Sequence, residues 1–181
     1  MDNEYPPLKR HESLQPFSRD HFIALRLARD LSAAALGDEA TALNARQGFL
    51  AAWRLEIEAH FDEEERWLSP LMRPEETERM RGEHSRLRRL AVQEVVPEKE
   101  GELKNWCAVV GRELHDHVRW EERVLFGAIQ QRATPEQLQA VGRATAEIES
   151  RRPGCRKRGP GPRKGKTPAP VACCRGSSGD S

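Results

Sequence analysis

The feature that most restricts this chain is a set of apolar stripes at helical spacing, each interrupted by a histidine. Steps of three and four place Phe17, His21, Leu25, Ala28 and Leu31 on one helical face, and Met80, His84, Leu87 and Ala91 on another. Two longer stripes read Leu50, Trp53, Ile57, His60, Glu64, Trp67, Leu71 and Leu103, Trp106, Val110, Leu114 (or Glu113), His117, Glu121, Leu125. No stretch alternates with period two over several residues, so no sheet is expected.

Capping and breaking residues divide the stripes. Ser18 is read as the cap of a first helix reaching about Leu36, with Gly37 as its stop. A second helix is expected from about Asp38 to Leu68, ended by Ser69-Pro70. Arg73-Pro74-Glu75-Glu76 opens a third, reaching about Val95, and Pro97-Glu98 a fourth, through about Ile129. Thr134-Pro135-Glu136 starts a short fifth helix to about Glu149. Short connections favour antiparallel neighbours, so the expected fold is all-α: an up-down-up-down four-helix bundle with a short fifth helix.

Composition sets the limits around that bundle. At 181 residues there is room for one core, and 33% charged against 37% apolar residues suits a soluble chain. Apolar runs are too short for a membrane span, and Met1-Asp2-Asn3-Glu4 lacks a secretion-signal profile, which places the protein in the cytoplasm. Nine of the 30 Lys/Arg but only one of the 29 Asp/Glu lie beyond residue 150, so a body of net charge −7 carries a tail of +8. The expected organisation is an N-terminal arm over 1–16, the bundle over 17–149, and a disordered basic tail over 150–181, rich in Pro, Gly and Ser. With no aromatic interleaved to stack on bases, the tail gives little support to nucleic-acid binding. Cys107 stands alone and Cys155, Cys173 and Cys174 fall in the tail, so neither a disulfide framework nor a zinc knuckle is read.

The polar residues in the stripes carry the functional reading. Residues at i and i+4 share a helical face, so His60/Glu64 and His117/Glu121 are two inward imidazole–carboxylate pairs. In an antiparallel bundle the early parts of the first and third helices meet the late parts of the second and fourth. His21, His84, His60 and His117 can then share one layer with Glu64 and Glu121, provided the first helix begins deeper than its neighbours. Unpaired, such a cluster is expensive to bury, and two adjacent glutamates repel. Divalent cations remove both difficulties, and mixed nitrogen and oxygen donors suit iron, manganese or zinc better than calcium or copper(I).

Ser18-Arg19-Asp20-His21, His60-Phe61-Asp62-Glu63-Glu64, Gly82-Glu83-His84-Ser85-Arg86-Leu87 and His115-Asp116-His117-Val118-Arg119-Trp120-Glu121 resemble, in order and spacing, the hemerythrin-like (HHE cation-binding) family over about residues 9–145. The resemblance implies a four-helix bundle holding a non-haem di-iron centre that binds oxygen or other small diatomic molecules. It further implies that His21 and His60 are terminal ligands on one iron, His84 and His117 on the other, and that Glu64 and Glu121 bridge. Oxygen-carrying members place a second histidine four residues after the third-helix histidine, and here that position is Arg88. A guanidinium beside a cation is unfavourable, so Arg88 is expected to swing outward. That would leave a ligand position on the second iron for water or an exogenous molecule, and single-metal or other divalent occupancy is an alternative.

The remaining candidates read as structural. His11 is taken as solvated and His115 as facing away from His117. Glu63, Glu65 and Glu122 are expected to face water or to pair with Arg66, Arg119 and Arg123. Trp53, Trp67 and Trp106 are read as packing that could also wall off the metal layer, and Cys107 as inert. The Ala/Arg-rich composition suits a bacterial-type member that binds or senses oxygen, nitric oxide or peroxide. No nucleophile–base pair or phosphate loop points to an enzyme. The alternatives are a di-iron redox enzyme for peroxide or nitric oxide, and a metal-free helical interaction protein.

Overall fold

The computed structural model describes residues 9–93 and 101–151, and every regular element among them is helical. Helix α1 spans Gln15–Ala34. Helix α2 is continuous through Glu39–Ala52, a π-helical turn at Trp53–Ile57, and Glu58–Trp67. Helix α3 spans Pro74–Val92. Helix α4 runs through Glu102–Trp120, a second π-turn at Glu121–Leu125, and Phe126–Arg132. Helix α5 covers Pro135–Arg151. Among the described residues no helix is long and apolar enough to cross a membrane.

Most boundaries follow the capping chemistry. Asp38 accepts the Thr41 backbone N–H at 2.7 Å to start α2. Pro74 stands in the first turn of α3, where Glu76 accepts from the Arg73 N–H at 2.8 Å. Arg132 also binds Glu76 at 2.7 Å, tying the end of α4 to the start of α3. Thr134 and Gln137 cap α5 reciprocally, at 2.8 and 3.3 Å.

Two boundaries differ from the sequence reading. Ser18 lies inside α1, because His11 Nδ1 accepts from the Ser13 N–H at 3.2 Å and starts a 3-10 turn over Glu12–Leu14 that runs into the helix. The segment read as a free arm is thus helical from residue 12, with Leu14 fully buried. His11, read as solvated, is half-buried, and its backbone N–H donates to Gln130 on α4. Gly37 does not take the left-handed conformation of a helix stop; among the described residues only Gly101 does, at φ 78°, immediately before α4. Pro97-Glu98 and the tail from 152 onward lie outside the described residues.

The core falls into two apolar clusters. One gathers Ala24, Ala28 and Leu31 of α1, Phe49, Trp53, Ile57 and Phe61 of α2, Leu87 and Ala91 of α3, and Leu103 to Val118 of α4. The other holds Phe17, Leu68, Met80, Leu125, Phe126 and Ile129, closed off by Leu14 and by Leu138 and Val141 of α5. Each of the first four helices passes from one cluster to the other, α1 and α3 in one sense and α2 and α4 in the opposite sense. The up-down-up-down order follows.

The π-turns keep the stripes facing inward. A step of four residues on an α-helix rotates about 40° past a full turn, so the run Phe49, Trp53, Ile57, Phe61 would drift off the core. The wider turn at Trp53–Ile57 absorbs that drift, and Phe49, not the half-buried Leu50, is the core residue. The turn at Glu121–Leu125 does the same for Glu121, Leu125 and Ile129.

Helices α1 and α4 approach closely at Gly111, where an added Cβ would lie 2.6 Å from Ser32 Oγ and 2.9 Å from the Ala28 carbonyl oxygen. Gly111→Ala is expected to destabilise the fold by about 1–3 kcal/mol in urea unfolding. Gly48→Ala and Gly82→Ala, in helices with open space around them, should each stabilise it by about 0.5–1 kcal/mol. An unchanged midpoint for Gly111→Ala would contradict the close backbone approach.

Candidate metal centre

Between the two apolar clusters lies a single polar layer. His21 is 2% exposed, His60 4%, His117 1%, and Glu64, His84 and Glu121 0%. On each helix the layer sits between a residue of one cluster and a residue of the other: Phe17 and Ala24 bracket His21, and Met80 and Leu87 bracket His84. Helix α1 achieves this depth by beginning at Gln15, three residues before the expected cap.

The inner faces of the six side chains converge. Glu64 Oε1 lies 3.3 Å from His21 Nε2 and 3.2 Å from His60 Nε2, while its Oε2 lies 3.5 Å from His84 Nε2. Glu121 Oε2 lies 3.1 Å from His21 Nε2 and 3.4 Å from His117 Nε2. Each carboxylate therefore reaches both histidine pairs. His84 Nε2 and His117 Nε2 are 3.0 Å apart. Within this layer of the described residues two groups can hold a cation, their ligand atoms mutually within 4.8 Å: His21, His60 and Glu64, and Glu64, His84, His117 and Glu121.

The donor set fits metal ions. Both oxygens of Glu64, both of Glu121, and the Nε2 atoms of His21 and His60 are buried without a hydrogen-bond partner, a state that is costly unless something else binds them. Metal–donor bonds of about 2.1 Å at right-angled to tetrahedral geometry place neighbouring donors about 3.0–3.4 Å apart. The separations above run from 3.0 to 3.5 Å.

The outer faces are as ordered as the inner ones. His21 Nδ1 donates to Glu122 at 2.7 Å, His84 Nδ1 to Glu65 at 2.9 Å and His117 Nδ1 to Glu83 at 2.8 Å. An ionised carboxylate can only accept, so each of these three rings carries a proton on Nδ1, and in the neutral ring the Nε2 lone pair faces inward. Asp20 Oδ2 stands 3.4 Å from His60 Nδ1. Arginines hold the three carboxylates in turn: Arg10 on Glu122 at 2.7 Å, Arg88 on Glu65 at 2.7 Å and Arg79 on Glu83 at 2.8 Å.

This layer corrects the sequence reading. Glu65 and Glu122 do not merely face water or pair with Arg66, Arg119 or Arg123; each supports a buried imidazole. Glu63 is half-buried in a cluster with Asp20 and His60. Arg88 does turn from the inner donors, but to a defined place, bonded to Glu65 and to Asp62 at 2.7 Å. Phenylalanines, rather than the three tryptophans, wall the layer. Phe61 stacks on His84 at 3.9 Å and 5°, Phe126 on His21 at 5.5 Å and 11°, and Phe17 lies 6.1 Å from His60. Trp53 reaches the site only through Phe61, and Trp106 packs on Phe49 and donates to the Leu90 carbonyl. His115 is half-exposed beside Asp116. Cys107 is buried, and burial pushes its thiol up to about 11, so it stays protonated at neutral pH.

Electrostatically the layer asks for positive charge. Burial opposes the charged form of His60, yet Glu64 and Asp20 outweigh it and raise the imidazole to about 9. His21 and His84 are raised against burial in the same way, by Glu121, Glu122 and Glu64 for the first and by Glu64 and Glu65 for the second. Burial works equally against the Glu64 carboxylate, but the surrounding imidazoles hold it well below the usual range. Glu65, bonded by His84 and Arg88, lies at about 2; Glu122 also reaches about 2, where bonds from His21 and Arg10 overcome its burial. Without metal, protons on His21, His60 and His84 supply countercharge that cations would otherwise supply.

No curated protein and no solved structure matches the chain. A bundle that gathers four imidazoles and two carboxylates into one buried layer is matched over residues 15–129 by the Hemerythrin HHE cation binding domain, and the chain belongs to that family.

Proposed function

We propose that the layer is a dinuclear iron centre, with His21 and His60 on one ion, His84 and His117 on the other, and Glu64 and Glu121 bridging, and that it binds oxygen, nitric oxide or peroxide. One observation carries the reading: the inner carboxylate oxygens and imidazole nitrogens meet in a buried layer, six of them without a hydrogen-bond partner in the protein, at separations that suit a shared cation. Bound iron supplies reversible redox change and an exchangeable coordination position. The protein's own contribution is the rest. Carboxylates fix the tautomers of His21, His84 and His117, arginines keep those carboxylates ionised, and Phe17, Phe61 and Phe126 exclude bulk water.

Arg88 favours a second reading of the same centre. Held by Glu65 and Asp62, it supplies no imidazole to the His84 side, which leaves that ion a position at which peroxide or nitric oxide could be turned over. Steady turnover of either by the iron-loaded protein would support the redox enzyme; stoichiometric binding alone would reject it.

Anaerobic iron loading should give two irons per chain and a visible spectrum that shifts with azide, and fewer than about one iron per chain would falsify the dinuclear centre. Metal at a hundred times its dissociation constant should stabilise the fold by about 2.7 kcal/mol, and a chelator should reverse this. Glu64→Ala and Glu121→Ala are expected to lose both the metal and that stabilisation, whereas His115→Ala, at a half-exposed residue, should keep them. Glu65→Gln should weaken retention of the metal about 10–100-fold in competition with a chelator, because it loosens the His84 ring without removing a ligand.

A further inference from the structure

The outer sides of the four histidines are not equivalent. At His21, His84 and His117 the supporting carboxylate lies 2.7–2.9 Å from Nδ1. At His60 the facing oxygen of Asp20 stands 3.4 Å away, and neither ring nitrogen completes a hydrogen bond, although the side chain is only 5% exposed. Glu63 approaches the same corner: a ring nitrogen of His60 and carboxylate oxygens of Asp20 and Glu63 lie within 4.8 Å of one another. A cavity of about 10 Å³ opens beside them, lined by Asp20, Ile23, Ala24, Glu56, Ile57 and His60, with room for about one water-sized particle. The π-turn of α2 supplies Glu56 and Ile57 to its wall.

We infer that Asp20, His60 and Glu63 form a loading port, where a divalent cation pauses on its way from solvent to the inner layer. The inference rests on the reading of that layer as a metal centre. Two carboxylates and an imidazole are a donor set suited to iron(II), manganese(II), cobalt(II) or zinc(II). Three ligands leave the remaining positions to water, so the ion is held less firmly here than among the inner donors.

The sequence places port and centre back to back. Asp20 precedes His21 and Glu63 precedes Glu64, and successive residues on a helix point about 100° apart, so one of each pair faces inward and the other faces the port. His60 belongs to both: its Nε2 lies 3.2 Å from Glu64 Oε1 and its Nδ1 lies 3.4 Å from Asp20. An ion at the port is one imidazole ring away from the centre. The acidic mouth, with the exposed Glu56 at its rim, concentrates cations where they are needed.

The test is the rate of cobalt(II) uptake by the full metal-free chain, followed by anaerobic stopped-flow absorbance. Asp20→Asn/Glu63→Gln should take up cobalt about ten-fold or more slowly, yet reach the unaltered protein's stoichiometry and final spectrum. Asp30→Asn/Glu39→Gln, which removes the same charge near the far end of the bundle, should load at the unaltered rate. Glu63→Gln alone leaves the Asp20–His60 contact in place and should also slow loading, which keeps the test informative if the double variant fails to fold. Equal rates in the two double variants would overturn the port. So would a port variant that ends with fewer ions, which would make Asp20 and Glu63 part of the holding set. An unaltered protein that binds no cobalt would overturn the centre itself, and the port with it.

Discussion

Everything in this bundle is arranged around six ionisable side chains that are held out of water. Four imidazoles and two carboxylates occupy one level of the core, with apolar clusters above and below. Burying such groups costs several kcal/mol each unless their charges are matched. The fold answers in two ways, by ringing the layer with further carboxylates and by leaving the inner donors directed at a common region. A purely apolar layer would be simpler to pack, so the polar one makes sense as a binding layer.

The outer carboxylates give the layer its orientation. Glu122, Glu65 and Glu83 each take the Nδ1 proton of a buried histidine, and Arg10, Arg88 and Arg79 each hold one of those carboxylates. The chain of arginine, carboxylate and imidazole fixes which nitrogen faces inward, and so converts a cluster of polar residues into a set of aligned lone pairs. The three arginines come from separate places: the segment just before the Glu12–Leu14 turn, the early part of α3, and the position four residues after His84. Arg88 is therefore part of the support for His84.

Local helix geometry sets the height of the layer. The π-turns at Trp53–Ile57 and Glu121–Leu125 each widen a helix next to the site, one just before His60 and the other beginning at Glu121 itself. Without them the four-residue steps of α2 and α4 would carry later side chains off the inner face. The early start of α1, made possible by the His11 cap and the turn over Glu12–Leu14, brings His21 to the same level as the others.

The sequence by itself determined the number of helices, most of their boundaries, and the six inward polar residues, because helical periodicity and capping are local and can be counted along the chain. It also determined the family through the order and spacing of the HxxxE pairs. Only the tertiary structure decided the rest. Glu65, Glu83 and Glu122 meet histidines 19, 34 and 101 residues away, and no local pattern marks an acid next to a motif as a partner of a different helix. Phe61 looked off-stripe because it follows His60 directly, and a π-turn cannot be read from spacing alone. Arg10 lay in a segment with no helical stripe, yet it reaches Glu122 across 112 residues. Periodicity shows which way a side chain points from its own helix; what it meets there depends on how the helices pack together.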